Sequence, residues 1–158
     1  MTDTSQGNPF QTPAAILQDA ATTDTDEPLY RLAAVGIATF FGTPIAGAWV
    51  IVQNLKALRR GHEARNAWLM GIGLTLGIFL LGYFLPDNIS GTPIAIASVF
   101  GMYQFAKQSF GVALERHLAG GGQWRSNWRA FGVSLLILLG VLAALFASVF
   151  ILSLLGFI

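Results

Sequence analysis

Apolar and polar positions alternate in long blocks along this chain. Four apolar segments stand out, over about 32–55, 67–85, 93–110 and 130–154, the last running on nearly to Ile158. Blocks of about 18 or more apolar residues exceed what a soluble helix or strand needs and read as membrane spans. In hydrocarbon the backbone has no water to bond with, so each span must be a helix. The pattern therefore predicts an all-α integral membrane four-helix bundle over 29–158. A polar tail precedes it over 1–28.

Charge adds the threading. Lys56, Arg59, Arg60 and Arg65 lie between the first and second segments. Lys107, Arg116, Arg125 and Arg129 lie between the third and fourth. The connection from Pro86 to Ser90 carries no basic residue. Four crossings would place both basic loops on one side, and the positive-inside rule makes that side cytoplasmic. Both termini would then lie outside. Arg31 is the exception, expected to snorkel at the outer boundary.

One five-residue word, GTPIA, occurs at Gly42–Ala46 and again at Gly91–Ala95. Downstream, Arg65-Asn66-Ala67-Trp68 and Arg125-Ser126-Asn127-Trp128 form a second pair of marks. Their order suggests two helical hairpins related as a parallel repeat. The candidate kink or break residues are Gly42, Thr43, Pro44, Gly91, Thr92 and Pro93. Thr suits a helix cap, and Pro suits the first turn because it has no N–H to waste. At Thr92-Pro93 this is the start of a helix. At Thr43-Pro44 apolar sequence already precedes it, and Pro44 removes a bond to Phe40. Two readings stay open there: a kinked continuous helix, and a broken helix with a fresh N-terminus at Thr43.

Composition excludes several chemistries. Of 158 residues 54% are hydrophobic and only 11% charged, against about 25% charged in soluble domains. There is no cysteine, so disulfides and thiolate sites are excluded. The net charge of +1 gives no general attraction to nucleic acid. The first 28 residues hold five acids and no Lys or Arg, unlike a secretory signal. Their composition favours disorder, with one short helical turn starting at Thr12-Pro13.

Candidate chemistry is thin. Thr39, Thr75, Ser98, Gln104 and Ser134 are the polar residues inside the spans, and no ionisable residue sits mid-span. Proton relays need such residues. Gln53, Asn54 and Gln104 are amides suited to a polar vestibule or to bonding a neighbouring backbone. His62 with Glu63, and Glu115 with His117, lie in the basic loops at spacings that match no metal motif, and read as solvated. No catalytic, cofactor-binding or metal residue is assigned, and no cofactor is expected. Gly73 and Gly77, with Gly140 and Ala144, have the small-residue spacing that lets helices touch, and are expected to pack inside the bundle, with dimerisation as the alternative. The third helix is expected to overshoot the membrane. Tyr103, Ala106, Phe110, Ala113, Leu114 and Leu118 would form its apolar face, and Gly120–Gly122 would end it.

The run Phe40-Phe41-Gly42-Thr43-Pro44-Ile45-Ala46-Gly47, then Gln53-Asn54-Leu55-Lys56, Trp68, and Gly121-Gly122 with Trp128-Arg129, resembles a loose group of small bacterial polytopic membrane proteins. That resemblance covers most of 36–132. It implies the bacterial cytoplasmic membrane and brings no activity and no catalytic residue. The functions left are an accessory or scaffold protein acting through helix–helix contacts, or a small channel or carrier for an uncharged or anionic solute using the Thr-Pro elements. An intramembrane enzyme ranks last. The expected partners are the lipid bilayer and a second copy or another membrane protein, not nucleic acid.

Overall fold

The computed structural model describes residues 27–84, 86 and 90–156. The acidic tail up to Asp26, including the Thr12-Pro13 turn, lies outside the described residues, as do Leu85 and Asp87 in the outer connection. Four α-helices follow in order: α1 (Leu32–Ala57), α2 (Ala64–Phe84), α3 (Thr92–Ala119) and α4 (Asn127–Leu154). A short 3₁₀ turn, Gly61–Glu63, joins α1 to α2. The all-α four-helix class predicted from the hydrophobic blocks is what the chain adopts.

Three helical stretches, Leu32–Ala57, Gly61–Phe84 and Asn127–Leu154, are long and apolar enough to cross a membrane. The helix α3, expected to cross over 93–110, is not among them: it is as long as α4 but carries Gln104 near its middle and Lys107, Gln108, Glu115 and Arg116 in its second half. Its buried residues there are Ala106, Phe110, Gly111, Leu114 and His117, while Lys107, Gln108, Glu115 and Arg116 are exposed. This is the amphipathic extension expected from the pattern, and it ends at Gly120. Leu118 departs from that face and is exposed.

The bundle is organised around α1. It touches α2, α3 and α4. Among the described residues α4 comes near no other helix, and α2 meets α3 only slightly. The core follows from this. It draws on Leu29, Tyr30, Val35, Val50, Ile51, Leu55 and Leu58, with Met102, Phe110 and Ala130 added from α3 and α4. The outer lengths of α2 and α4 are apolar and largely exposed, from Phe79 to Phe84 and from Leu142 to Leu155.

The first span is corrected by the structure. In a straight helix Tyr30 and Asn54 would stand about 36 Å apart, at 1.5 Å per residue. Here the Tyr30 N–H donates to Asn54 Oδ1 at 2.8 Å, and Asn54 Nδ2 donates to the Tyr30 carbonyl at 2.8 Å. The rings of Tyr30 and Trp49 lie 6.1 Å apart. A Cβ on Gly47 would collide with Thr39 Oγ1, a residue more than two turns back. The helix α1 therefore folds back on itself. The segment expected as one rod over 32–55 is a helical hairpin of two limbs, 32–42 and 44–57, of about 16 and 21 Å. Neither limb alone spans a hydrocarbon core of roughly 30 Å.

Candidate functional site

The turn of this hairpin is Gly42-Thr43-Pro44. Thr43 has φ 79° and ψ 163°, outside helical space. That region is used almost only by glycine, and a β-branched residue there is strained by about 1–3 kcal/mol. Of the two readings left open by Pro44, the broken helix is the one adopted. Pro44 has no N–H, so it opens the second limb without leaving a donor unpaired.

Three glycines make the turn fit. A Cβ on Gly42 would stand 2.5 Å from the Ser134 carbonyl oxygen of α4. A Cβ on Gly71 of α2 would stand 2.5 Å from Ala48 Cβ and 2.9 Å from the Pro44 carbonyl oxygen. Gly47 lets the two limbs touch at Thr39. Irregular backbone at membrane depth is tolerated only where protein encloses it, and these contacts provide that enclosure. Thr39 donates to Val35 O, Thr75 to Gly71 O, Ser98 to Ala95 O and Ser134 to Phe131 O, each at 2.6–2.8 Å. The hydroxyls inside the helices are thus satisfied by their own backbones. Thr43 Oγ1 is buried without a hydrogen-bond partner.

The open end of the hairpin is clamped. Asn54 closes the two limbs with its pair of bonds to Tyr30. Leu29 forms a one-residue parallel bridge to Trp124, with Leu29 N–H donating to Gln123 O at 3.1 Å and Arg125 N–H to Leu29 O at 2.8 Å. The Arg31 guanidinium lies 5.1 Å from the centre of the Trp124 ring, and that of Arg125 lies 5.4 Å from the Tyr30 ring. His117 Nε2 is 3.0 Å from Gln123 O, and its ring meets Trp124 edge-on. Arg60, just past α1, ties the α1–α2 connection to α3 by donating to Ser109 O at 2.7 Å, and it pairs with Glu63.

This clamp changes several expectations. Arg31 does not snorkel at a boundary opposite the basic loops; it sits on Trp124 within one of them. His117 is buried and bonded rather than solvated, and only His62 of the two histidines stands open. Glu63 is held by Arg60. Among the described residues no group of His, Asp or Glu is arranged to hold a metal ion.

The two GTPIA words occupy unlike places. The first makes the turn of α1. The second lies at the exposed start of α3, where Gly91 precedes the helix and Thr92-Pro93 opens it. They do not mark equivalent hairpins, because α1 folds back and α3 runs on. Gly73, Gly77 and Gly140 also stand differently from expectation. Apart from the adjoining backbone of their own helix, no described atom lies within 4 Å of where their side chains would begin, and Ala144 is exposed. Within the bundle, close approach is carried by Gly42, Gly47 and Gly71 instead.

Lys56, Arg59, Arg65, Arg116 and Arg129 are exposed around the clamp, with Arg60 and Arg125 partly covered. Trp128 is 80% exposed beside them, over an apolar groove of about 310 Å³ lined by Ile37, Phe41, Asn127 and Phe131. No known protein family, curated protein or solved structure matches the chain.

Proposed function

We propose that this is an accessory or scaffold protein of a bacterial cytoplasmic membrane, acting through helix–helix contacts. The hairpin α1 enters and leaves from the basic side, α2 and α4 make the apolar crossings, and α3, packed on α1, returns the chain between them. Arg31 then joins the other eight basic residues at one end, so all nine lie on one side of the chain. By the positive-inside rule that side faces the cytoplasm. The N-terminal tail starts there, and the C-terminus ends outside. This threading replaces the expectation of two outer termini, which rested on α1 crossing as a single rod.

The observation that supports the scaffold role is the bare outer face of α2 and α4. Gly73, Gly77 and Gly140 present small-residue surfaces to open space, which permits another helix to approach closely. Crosslinking of the full chain in native membranes tests it. Gly77→Leu and Gly140→Leu are expected to abolish crosslinked species while leaving the thermal melt in detergent unchanged. Crosslinking that survives both substitutions would contradict the role.

A further inference from the structure

The two halves of the molecule are unequal. The turn of α1 meets α2 at Gly71 and α4 at Ser134. Both contacts fall only about 10 Å along helices that start at Ala64 and Asn127. Past that level α4 continues to Leu154, about 30 Å further. The basic half therefore contains five helical rods: two limbs of α1, with α2, α3 and α4. Past the turn α2 and α4 run on, while α3 begins at Thr92, only seven residues above Val99, which lies beside Gly36 of the first limb. Each rod has a diameter of about 10 Å, so the hairpin adds roughly 160 Å² of cross-section to one half.

The extra rods are fixed in that half. Asn54 and the Leu29–Trp124 bridge tie the limbs to each other and to the α3–α4 loop. Gly42 and Gly71 seat the turn against α4 and α2. Among the described residues nothing in the far half matches this mass: α4 contacts no helix but α1, and it is exposed from Leu142 to Leu155. Shallow insertion of helix on one side of a bilayer couples binding to curvature.

We infer that the chain is a membrane wedge, which concentrates in bilayers that are convex on its basic side. The inference rests on the threading proposed above and adds to it a preference for shape. Full-length chain labelled at Ser90→Cys, in the cysteine-free background, is reconstituted into phosphatidylcholine–phosphatidylglycerol vesicles of mixed diameter. An impermeant quencher then sorts molecules by orientation, and labelled protein per unit lipid is read vesicle by vesicle. Molecules with the basic end outward are expected to be enriched severalfold in the smallest vesicles. Inward-facing molecules should show the reverse, which supplies a control within the same sample. Equal density at all diameters, or the same trend for both orientations, would overturn the wedge. A spin–spin distance between Ala33→Cys and Lys56→Cys in the same vesicles separates the two failures. A short distance with no size dependence sinks the wedge alone, and a long one sinks the hairpin threading with it.

Discussion

Asn54 does at the open end of the hairpin what no apolar residue can. Its amide presents one donor and one acceptor at a fixed spacing, and it meets both backbone groups of Tyr30. Asn54 and Tyr30 are both buried, so breaking the pair leaves two peptide groups without water. Asn54→Ala is expected to destabilise the chain by about 2–4 kcal/mol, read as a lower melting temperature in detergent. Asn54 was legible in the sequence only as an amide near the end of an apolar run, with two uses open. Its partner, 24 residues back, required the fold. The glycines divide in the same way. Gly42→Ala would drive a methyl into the Ser134 carbonyl, which belongs to backbone and cannot swing away. A loss of about 1–3 kcal/mol is expected. Gly73→Ala meets open space and should leave stability unchanged or raise it by up to about 1 kcal/mol. Spacing alone had favoured Gly73 and Gly77 for internal packing, because a small-residue repeat marks a face without saying what covers it.

At the scale of the element, the hydrophobic blocks located all four helices. The starts and ends of α1 and α4 lie within a turn of those expected, and the amphipathic second half of α3 was visible in its mixed face. The fold-back of α1 was not. A predominantly apolar stretch of 26 residues satisfies the length rule for a span whether it runs straight or returns, since hydropathy measures solvent preference and not direction. Only Thr43-Pro44 gave a local hint. Thr43 holds a conformation suited to glycine, so Thr43→Gly is expected to stabilise the hairpin by about 1–3 kcal/mol, checked by the detergent melt. The opposite change should straighten it. In the double variant Thr43→Leu/Pro44→Leu nothing interrupts the helix, and a rod of about 39 Å can cross the bilayer. A cysteine at Ser5 should then move from labelling only after lysis to labelling from outside by an impermeant thiol reagent. If Ser5→Cys is already labelled from outside in the otherwise native chain, the hairpin threading fails.

The molecule as a whole is asymmetric, and the asymmetry follows from one turn. Because α1 returns, Arg31 joins the basic residues of the two loops. The bias of eight basic residues in nine becomes complete. Because α1 returns early, the core gathers at that end and the outer lengths of α2 and α4 are left bare. The same turn separates the two GTPIA words in role, which is why a repeat seen in the letters has no counterpart in the architecture. The most direct test is a distance. Spin labels at Ala33→Cys and Lys56→Cys, both exposed positions near the ends of α1, report its path in the full chain. A folded-back α1 predicts a separation of about 10–20 Å, that of packed neighbouring helices with their labels. A separation near 34 Å, the length of an unbroken helix between those residues, would contradict it.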